Sequence, residues 1–205
     1  MDNPTRLYLV RHGEVESRYH RVFGGKIDMD LSPLGLDQVK AAADYFQRHP
    51  PHVLYSSPMK RVQQTLRPLA EWTKLDPIIL PGLREVDFGS WTGLSWEQVA
   101  ERYKVSAFEW LNQLEAGSIP EAESTTDFRK RVDESLNRIL QESAHKEIAI
   151  IAHGGVIRMA LSILFELPFA RMSMFDVEYA SITKVKLTPA KRDIEVLNFC
   201  PWRDL

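Results

Sequence analysis

The sequence predicts an α/β fold in three layers, α/β/α, in which helices cover both faces of a mostly parallel central sheet. Short apolar runs with strand character alternate with stretches of helical periodicity along the 205 residues, and this alternation is typical of parallel sheets. The hydrophobic fraction of 44% and the charged fraction of 26% are ordinary for a globular chain. The length suits one domain, so we interpret residues 1–205 as a single domain.

Strands and helices alternate clearly in the first part of the chain. Strands are predicted at 6–11, 52–55 and 78–80. Ser32-Pro33 and Ser57-Pro58 each predict a helix start, because serine caps a helix N-terminus and proline suits the first turn. Apolar residues recur at helical spacing after both, at Leu36, Val39, Ala43 and Phe46 and then at Val62, Leu66 and Leu69.

The middle of the chain is less regular. Residues at about 86–123 are interpreted as a small helical insertion over the carboxyl edge of the sheet, where Ser95 with Gln98 predicts a capping box. A short helix there is predicted to contain Phe108, Trp110, Leu111 and Leu114. Ser124 is predicted to begin a long amphipathic helix through Phe128, Val132, Leu136 and Leu140. The last predicted elements are a strand at 147–152, a helix at 156–165 and edge strands at 181–187 and 194–199.

Charge and cysteine content argue against several classes of protein. The formal net charge is −2, so no overall field attracts nucleic acid. Cys200 is the only cysteine, which excludes an intrachain disulfide and favours a reducing compartment. The most apolar segment, 148–165, is interrupted by polar residues and does not resemble a membrane span. The chain also opens without a cationic, apolar leader. We therefore expect a cytoplasmic protein with no nucleic-acid or membrane partner.

Two histidines follow apolar strands and precede glycine. Residues 7–10 lead into Arg11-His12-Gly13, and residues 148–152 lead into His153-Gly154-Gly155. A single histidine beside a strand is more often a hydrogen-bonded core residue, but the repeated context favours two imidazoles facing each other at the carboxyl edge of the sheet, where ligands bind. An imidazole is a nucleophile and a guanidinium fits phosphate oxygens. The pattern indicates phosphoryl transfer through a covalent histidine.

Further candidates are weaker when each is taken alone. Arg61 is predicted in the first turn of a helix after the second strand, where backbone N–H groups also attract anions. Glu85 and Asp87 follow the third strand, and either is a candidate proton donor to a leaving oxygen. Each of the three is otherwise an ordinary surface residue.

Taken together, these motifs resemble a known family. They are Val10-Arg11-His12-Gly13-Glu14, Ser57-Pro58 with Arg61, Arg84-Glu85 with Phe88-Gly89, and Ala152-His153-Gly154-Gly155. They are similar, in order and over nearly the whole chain, to the four motifs of the histidine phosphatase superfamily, the phosphoglycerate mutase-like clan.

The resemblance implies that the fold is phosphoglycerate mutase-like and assigns a role to each motif residue. His12 would form the phosphohistidine, with Arg11, Arg61 and His153 holding the phosphoryl oxygens. Glu85 would give a proton to the leaving group and then activate water. The guanidinium groups would supply the positive charge, so neither a metal nor a cofactor is expected. The same charges should lower the pKa of His12 and keep it neutral.

The chain departs from the family pattern at three places. Val15 stands where threonine or serine is common, and Arg18 stands where an asparagine often helps to hold the phosphoryl group. Arg18 adds charge to the site if it points inward, and one phosphate contact is lost if it points outward. The segment 120–124 lacks the two glycines usual there. Gly24 and Gly25 lie in a loop expected to border the substrate, although a simple turn explains them equally well.

Residues 84–94 resemble the small phosphatases of the clan, including α-ribazole phosphatase-like and broad-specificity enzymes. Val86 and Phe88 stand where mutases usually carry arginine and tyrosine. We therefore predict a phosphomonoesterase acting on a small phosphate ester, with a phosphoglycerate mutase as the alternative and a non-catalytic phospho-ligand module as a third hypothesis.

Two structural questions have two answers each at this point. The aromatic residues Trp91, Trp96, Phe108 and Trp110 either line the pocket mouth or form the core of the insertion, and the late strands with Phe199 and Trp202 form either a homodimer edge or a cover of the core.

Overall fold

Residues 3–205, which the computed structural model describes, contain a six-stranded sheet and seven α-helices. The strands are β1 (Thr5–Arg11), β2 (Val53–Ser56), β3 (Ile78–Ile79), β4 (Glu147–Ala152), β5 (Ile182–Leu187) and β6 (Arg192–Phe199). Their order in the sheet is β3-β2-β4-β1-β5-β6. The pairs among β1 to β4 are parallel, and β5 runs antiparallel to both neighbours. The predicted mostly parallel sheet is confirmed.

Six of the seven helices occupy predicted stretches with shifted ends, and the short helix at the carboxyl end was not predicted. They are α1 (Pro33–Arg48), α2 (Lys60–Thr73), α3 (Trp96–Tyr103), α4 (Trp110–Glu115), α5 (Thr125–Glu142), α6 (Gly154–Leu164) and α7 (Pro201–Asp204). Three predicted caps are present: the hydroxyls of Ser32, Ser95 and Ser124 accept the backbone N–H of the residue three positions later, and Gln98 closes the capping box. A hydroxyl oxygen can accept from the helix N-terminus while it donates elsewhere, as Ser32 does to Glu14 Oε1 at 2.7 Å.

Helices cover the sheet on both faces. Tyr8 and Val10 of β1 pack with residues of α1 and α2 in one apolar cluster. Leu7 and Leu9 belong to the other cluster, with residues of α5 and α6. Successive side chains of β1 thus point to opposite faces of the sheet, and both faces are buried. The second cluster continues into α3 and α4, so the predicted insertion packs against the same core as the sheet.

Three predictions of local structure were wrong. The helix expected from Ser57-Pro58 begins only at Lys60, because the Ser57 hydroxyl is buried against His153 Nε2 at 2.8 Å and caps no helix. Leu36 was placed on the apolar face of α1 but is 53% exposed, since the face that packs on the sheet is formed by neighbours such as Val39 and Phe46. The short helix predicted to contain Phe108 begins only at Trp110, and Phe108 lies in the separate 3-10 turn Ala107–Glu109 before it.

The carboxyl-terminal residues contact the body of the fold. The Phe199 ring lies 5.5 Å from that of Tyr45 on α1. Trp202 Nε1 donates to the carbonyl oxygen of Tyr179 at 2.9 Å. Phe199 therefore packs against the core, as one of the two alternatives expected, whereas Trp202 is 36% exposed and β6 forms one edge of the sheet.

No helix within residues 3–205 combines the length and the apolar character that crossing a bilayer requires.

Candidate active site

The ends of β1 and β4 place two histidines side by side. Arg11 is paired with Ala152 in the parallel register, so the next residue of each strand, His12 and His153, leaves the sheet at the same level. The ring centroids are 5.4 Å apart, and both side chains are buried. The expectation that the two imidazoles meet at the carboxyl edge of the sheet is met by the geometry.

The hydrogen bonds of His12 define its tautomer. Nδ1 lies 2.8 Å from the carbonyl oxygen of Gly13. Because a carbonyl oxygen only accepts, Nδ1 carries the hydrogen and Nε2 carries the lone pair. Arg61 Nε donates to that Nε2 at 3.2 Å. His12 thus presents a nucleophilic Nε2 to a guanidinium group.

Burial lowers the pKa of both histidines well below the usual value, and nearby arginines add to the effect. For His12 the charges are those of Arg61 and Arg11, and for His153 they include Arg61 and its neighbour His12. The lowered pKa of His12 that the sequence predicted is therefore present, but burial is its first cause. A neutral imidazole is the form that attacks an electrophile.

Arg61 links His12 to the loop that contains Gly24 and Gly25. Nη1 donates to the Ile27 carbonyl at 2.8 Å and Nη2 to the Gly25 carbonyl at 3.3 Å. Gly25 has φ of +44°, in the left-handed region that a side chain disfavours. Gly24 and Gly25 both line the cavity described below. The loop is therefore more than a turn, since its backbone holds the arginine that holds His12.

Arg11 approaches the site from the other side. Its Nη1 donates to the carbonyl of Val177 at 2.6 Å, and its guanidinium lies 4.0 Å from the centroid of the Tyr179 ring. Its Nε is buried without a hydrogen-bond partner. A guanidinium with a buried donor that has no partner favours an anionic partner.

Glu85 lies at the N-terminus of α6. Its Oε2 accepts the N–H of Gly155 at 3.2 Å, and its Oε1 accepts the N–H of Val86 at 3.1 Å. A Cβ at position 155 would be 2.4 Å from Oε1. Only glycine at position 155 allows the carboxyl group to approach the helix so closely.

Arg131 on α5 fixes the backbone around Glu85. Its guanidinium donates to three carbonyl oxygens, those of Gly82, Arg84 and Glu85, at 2.7, 2.6 and 3.2 Å. It also contacts both carboxylate oxygens of Glu123, at 2.6 and 2.8 Å. Glu123 belongs to the segment that lacks the usual glycines, so this ion pair shows that the altered segment still supports the Glu85 loop.

These groups surround a cavity of about 560 Å³. Arg11, His12, Arg61 and Glu85 line it, and His153 lies behind His12 with its Nδ1 buried and unpartnered. Arg18 does not line the cavity. Its side chain is 67% exposed and paired with Glu16 at 2.7 Å, so it points outward and makes no contact with the phosphoryl site. Asp87, the other candidate proton donor, is paired with Lys26 at 3.0 Å outside the cavity lining.

The aromatic residues of the insertion divide between the two roles expected. Trp91 is buried in the core. Trp96, Phe108 and Trp110 line the cavity together with Phe88. The outer wall is therefore aromatic, whereas the floor carries the charged groups.

Sequence reasoning missed Arg158 as a site residue. It lies on α6, lines the cavity, and donates from Nη2 to the Phe175 carbonyl at 3.1 Å. Burial lowers its pKa to about 10. The available signal was a cation within the most apolar segment of the chain, which was read only as an interruption.

The described residues contain no group of three or more His, Cys, Asp or Glu side chains that could hold a metal ion. Chemically, the site joins a neutral imidazole lone pair, the guanidinium groups of Arg11 and Arg61 and one carboxyl group around a single cavity, which Arg158 also lines. Such a set suits attack on an electrophile that carries anionic oxygens.

Comparison with known proteins agrees with this arrangement. The model of the histidine phosphatase superfamily (branch 1) matches residues 7–199. The putative phosphoserine phosphatase 2 of Hydrogenobacter thermophilus is 29% identical over 98% of this chain and 98% of its own. The adenosylcobalamin/alpha-ribazole phosphatase of Salmonella typhimurium is 28% identical over 97% and 98% of the two chains. The solved structure of a mycobacterial glucosyl-3-phosphoglycerate phosphatase in complex with VO3 superimposes with a TM-score of 0.84, at 26% identity over 95% and 98%.

Proposed function

The chain belongs to the histidine phosphatase superfamily, and from this premise we propose that it is a phosphomonoesterase that acts through a phosphohistidine on His12. The observation that carries the proposal is the Nε2 lone pair of His12, held beside Arg61 in a cavity that Arg11 also lines. A neutral nucleophile next to buried cations is what attack on a phosphate dianion requires.

In the first step Nε2 of His12 forms a bond to phosphorus while the bond from phosphorus to the leaving oxygen breaks. Glu85 gives its proton to that oxygen, so an alcohol leaves. The charge on the three equatorial oxygens is stabilised by Arg11, Arg61 and His153. Nδ1 of His12, which donates to Gly13, keeps the ring oriented and carries the positive charge that develops.

In the second step water replaces the imidazole. The Glu85 carboxylate takes a proton from water, whose oxygen bonds to phosphorus as the N–P bond breaks. His12 returns to its starting tautomer and phosphate leaves. Because guanidinium groups supply the positive charge throughout, we propose that the reaction needs no metal ion and no organic cofactor.

A small substrate fits the site best. The cavity volume of about 560 Å³ is in the range of small-molecule sites. The relatives are named for phosphoserine, alpha-ribazole and adenosylcobalamin, which supports a small phosphorylated metabolite here too. We also propose that the enzyme is cytoplasmic and has no nucleic-acid or membrane partner. If it forms a homodimer, we propose that the edge strand β6 lies at the interface.

The alternative activity, a phosphoglycerate mutase, is less well supported. Val86, where mutases usually carry an arginine, is fully buried, and Phe88 is nearly so. A non-catalytic module is disfavoured because the nucleophile, the clamp and the carboxyl group are all in place.

The test uses an aryl phosphate in excess EDTA. We expect the wild type to hydrolyse it and His12→Ala to lose activity by at least about a thousandfold, as for other nucleophile deletions. His49→Ala, an exposed histidine at the end of α1, serves as the matched control. Retained activity in His12→Ala, or loss of activity with EDTA, contradicts the proposal. Rapid quench with radiolabelled substrate should trap the label on His12. If the protein interconverts 2- and 3-phosphoglycerate faster than it releases phosphate, the activity is that of a mutase instead.

A further inference from the structure

Arg158 stands beside the reaction centre without a role in the chemistry proposed above. It lies one turn into α6, where Nη1 is 3.4 Å from the Gly154 carbonyl and Nη2 is 3.1 Å from the Phe175 carbonyl. These two oxygens are its polar contacts, and its Nε is buried without a partner. Its side chain lines the cavity. A guanidinium held by two carbonyl dipoles keeps most of its five donors and its full charge.

The site holds more positive charge than a phosphoryl group needs. Within residues 3–205 no carboxylate lies within 4.0 Å of the guanidinium nitrogens of Arg11, Arg61 or Arg158. Arg131, which is also partly buried, has its charge balanced by the Glu123 carboxylate at 2.6 Å. A phosphate monoester carries two negative charges, which Arg11 and Arg61 match. The charge of Arg158 is left without a counterion.

Arg158 lies near the proton donor Glu85 as well as near Arg11. A Cβ at Gly154 would be 3.3 Å from Arg158 Nη1, and a Cβ at the next residue, Gly155, would be 2.4 Å from Glu85 Oε1. The guanidinium and the proton donor therefore both lie against the first turn of α6. Because Glu85 protonates the leaving oxygen, a group attached close to that oxygen comes within reach of Arg158.

Two other acids face Arg158 from the segment before β5. Asp176 and Glu178 are exposed, line the cavity, and act on Arg158 only at longer range. Exposed carboxylates are screened by water and salt and compensate a buried cation poorly. A ligand carboxylate inside the cavity displaces that water and meets the guanidinium directly, with the paired geometry that guanidinium favours.

We propose that Arg158 binds a carboxylate on the leaving group, so that the preferred substrates are phosphate monoesters of hydroxy acids. The proposal rests on the phosphomonoesterase function and names the substrate class of that same site. It makes Arg158 a specificity-determining residue rather than part of the phosphoryl clamp.

The experiment compares substrates that differ at one group. O-phosphoserine is paired with phosphoethanolamine, which lacks the carboxylate, and 3-phosphoglycerate is paired with glycerol 3-phosphate. For the wild type we expect kcat/KM to favour the acid in each pair by at least about tenfold, the effect of one charge-assisted interaction. Arg158→Gln should lose about 10- to 100-fold on the acids and less than about threefold on their partners and on an aryl phosphate. Arg171→Gln removes an exposed arginine outside the cavity lining and should change neither ratio.

The outcomes separate the two proposals. A wild type that hydrolyses none of the substrates, aryl phosphate included, refutes the phosphomonoesterase function itself. A wild type that hydrolyses the aryl phosphate but does not prefer the acids overturns only the role of Arg158. An equal loss on both members of each pair in Arg158→Gln also overturns it, because Arg158 would then serve the phosphoryl group. The wild-type preference is measured without any variant, so the proposal stays testable if Arg158→Gln fails to fold.

Discussion

Acidification should destabilise this protein through its two buried imidazoles. His12 and His153 are neutral in the folded state because burial and neighbouring arginines lower their pKa well below 6.5. In the unfolded chain each regains the ordinary value of 6.5. Between that value and the folded pKa, the unfolded state therefore binds more protons, and the free energy of unfolding falls as the pH falls.

The magnitude follows from proton linkage. At about pH 7.5 an unfolded histidine is nearly neutral, whereas at about pH 5.5 it is about nine-tenths protonated. Integrated over these two units, one histidine that stays neutral when folded contributes about 1.4 kcal/mol of lost stability, and the pair contributes about 3 kcal/mol. This is a large share of the about 5–15 kcal/mol by which domains are stable.

Urea denaturation followed by tryptophan fluorescence measures the effect at about pH 5.5, 6.5 and 7.5. His12→Asn and His153→Asn should each remove about 1.4 kcal/mol of the pH dependence, and the double variant about 3 kcal/mol. Other titrating groups are common to all four proteins and cancel in the comparison. Parallel pH profiles for the wild type and the double variant would refute the reasoning, because they would show that the buried imidazoles accept protons as readily as those of the unfolded chain.

Three further predictions test the surroundings of the site. Gly155→Ala places a methyl group against Glu85 and should displace its carboxyl group. Because an alkyl leaving group depends more on protonation than an aryl one, kcat/KM should fall more for an alkyl than for an aryl phosphate, by about tenfold or more. Equal losses would show that the carboxyl group does not protonate the leaving oxygen. Arg131→Met should lower the free energy of unfolding by about 3 kcal/mol and also lower kcat, and an unchanged kcat would exclude a positioning role. Ser95→Ala removes the capping box with Gln98 and should cost about 1 kcal/mol in thermal or urea unfolding while kcat/KM stays constant.

Much of the site could be predicted because it depends on strand ends. Parallel strands finish at one edge of a sheet, so two strand-histidine-glycine sequences far apart in the chain were expected to meet. His12 and His153 do so because the strands that carry them are direct neighbours. Nothing beyond local sequence and the topology of parallel sheets was needed for that step.

Other features depend on contacts that no local pattern encodes. Ser57-Pro58 has the same helix-start signal as Ser32-Pro33, yet the Ser57 hydroxyl contacts a histidine from another strand instead of a helix N-terminus. Arg131 and Arg158 both donate to carbonyl oxygens of loops that are distant in sequence. Carbonyl oxygens are present at every residue, so the sequence carries no sign of which ones an arginine will reach.

The register between β1 and β4 has a mechanical consequence. The separation of the two histidine backbones is set by backbone hydrogen bonds such as that from His12 N to the Ala152 carbonyl, at 3.0 Å, while the contacts with Gly13, Arg61 and Ser57 orient the two rings. A strand cannot slip by a fraction of a residue, and a slip of one residue turns every side chain to the opposite face. The backbone placement of the pair is consequently an all-or-none feature of the folded sheet: mutations in the loops and the insertion can reshape the cavity, but they leave the two histidines on adjacent strand ends.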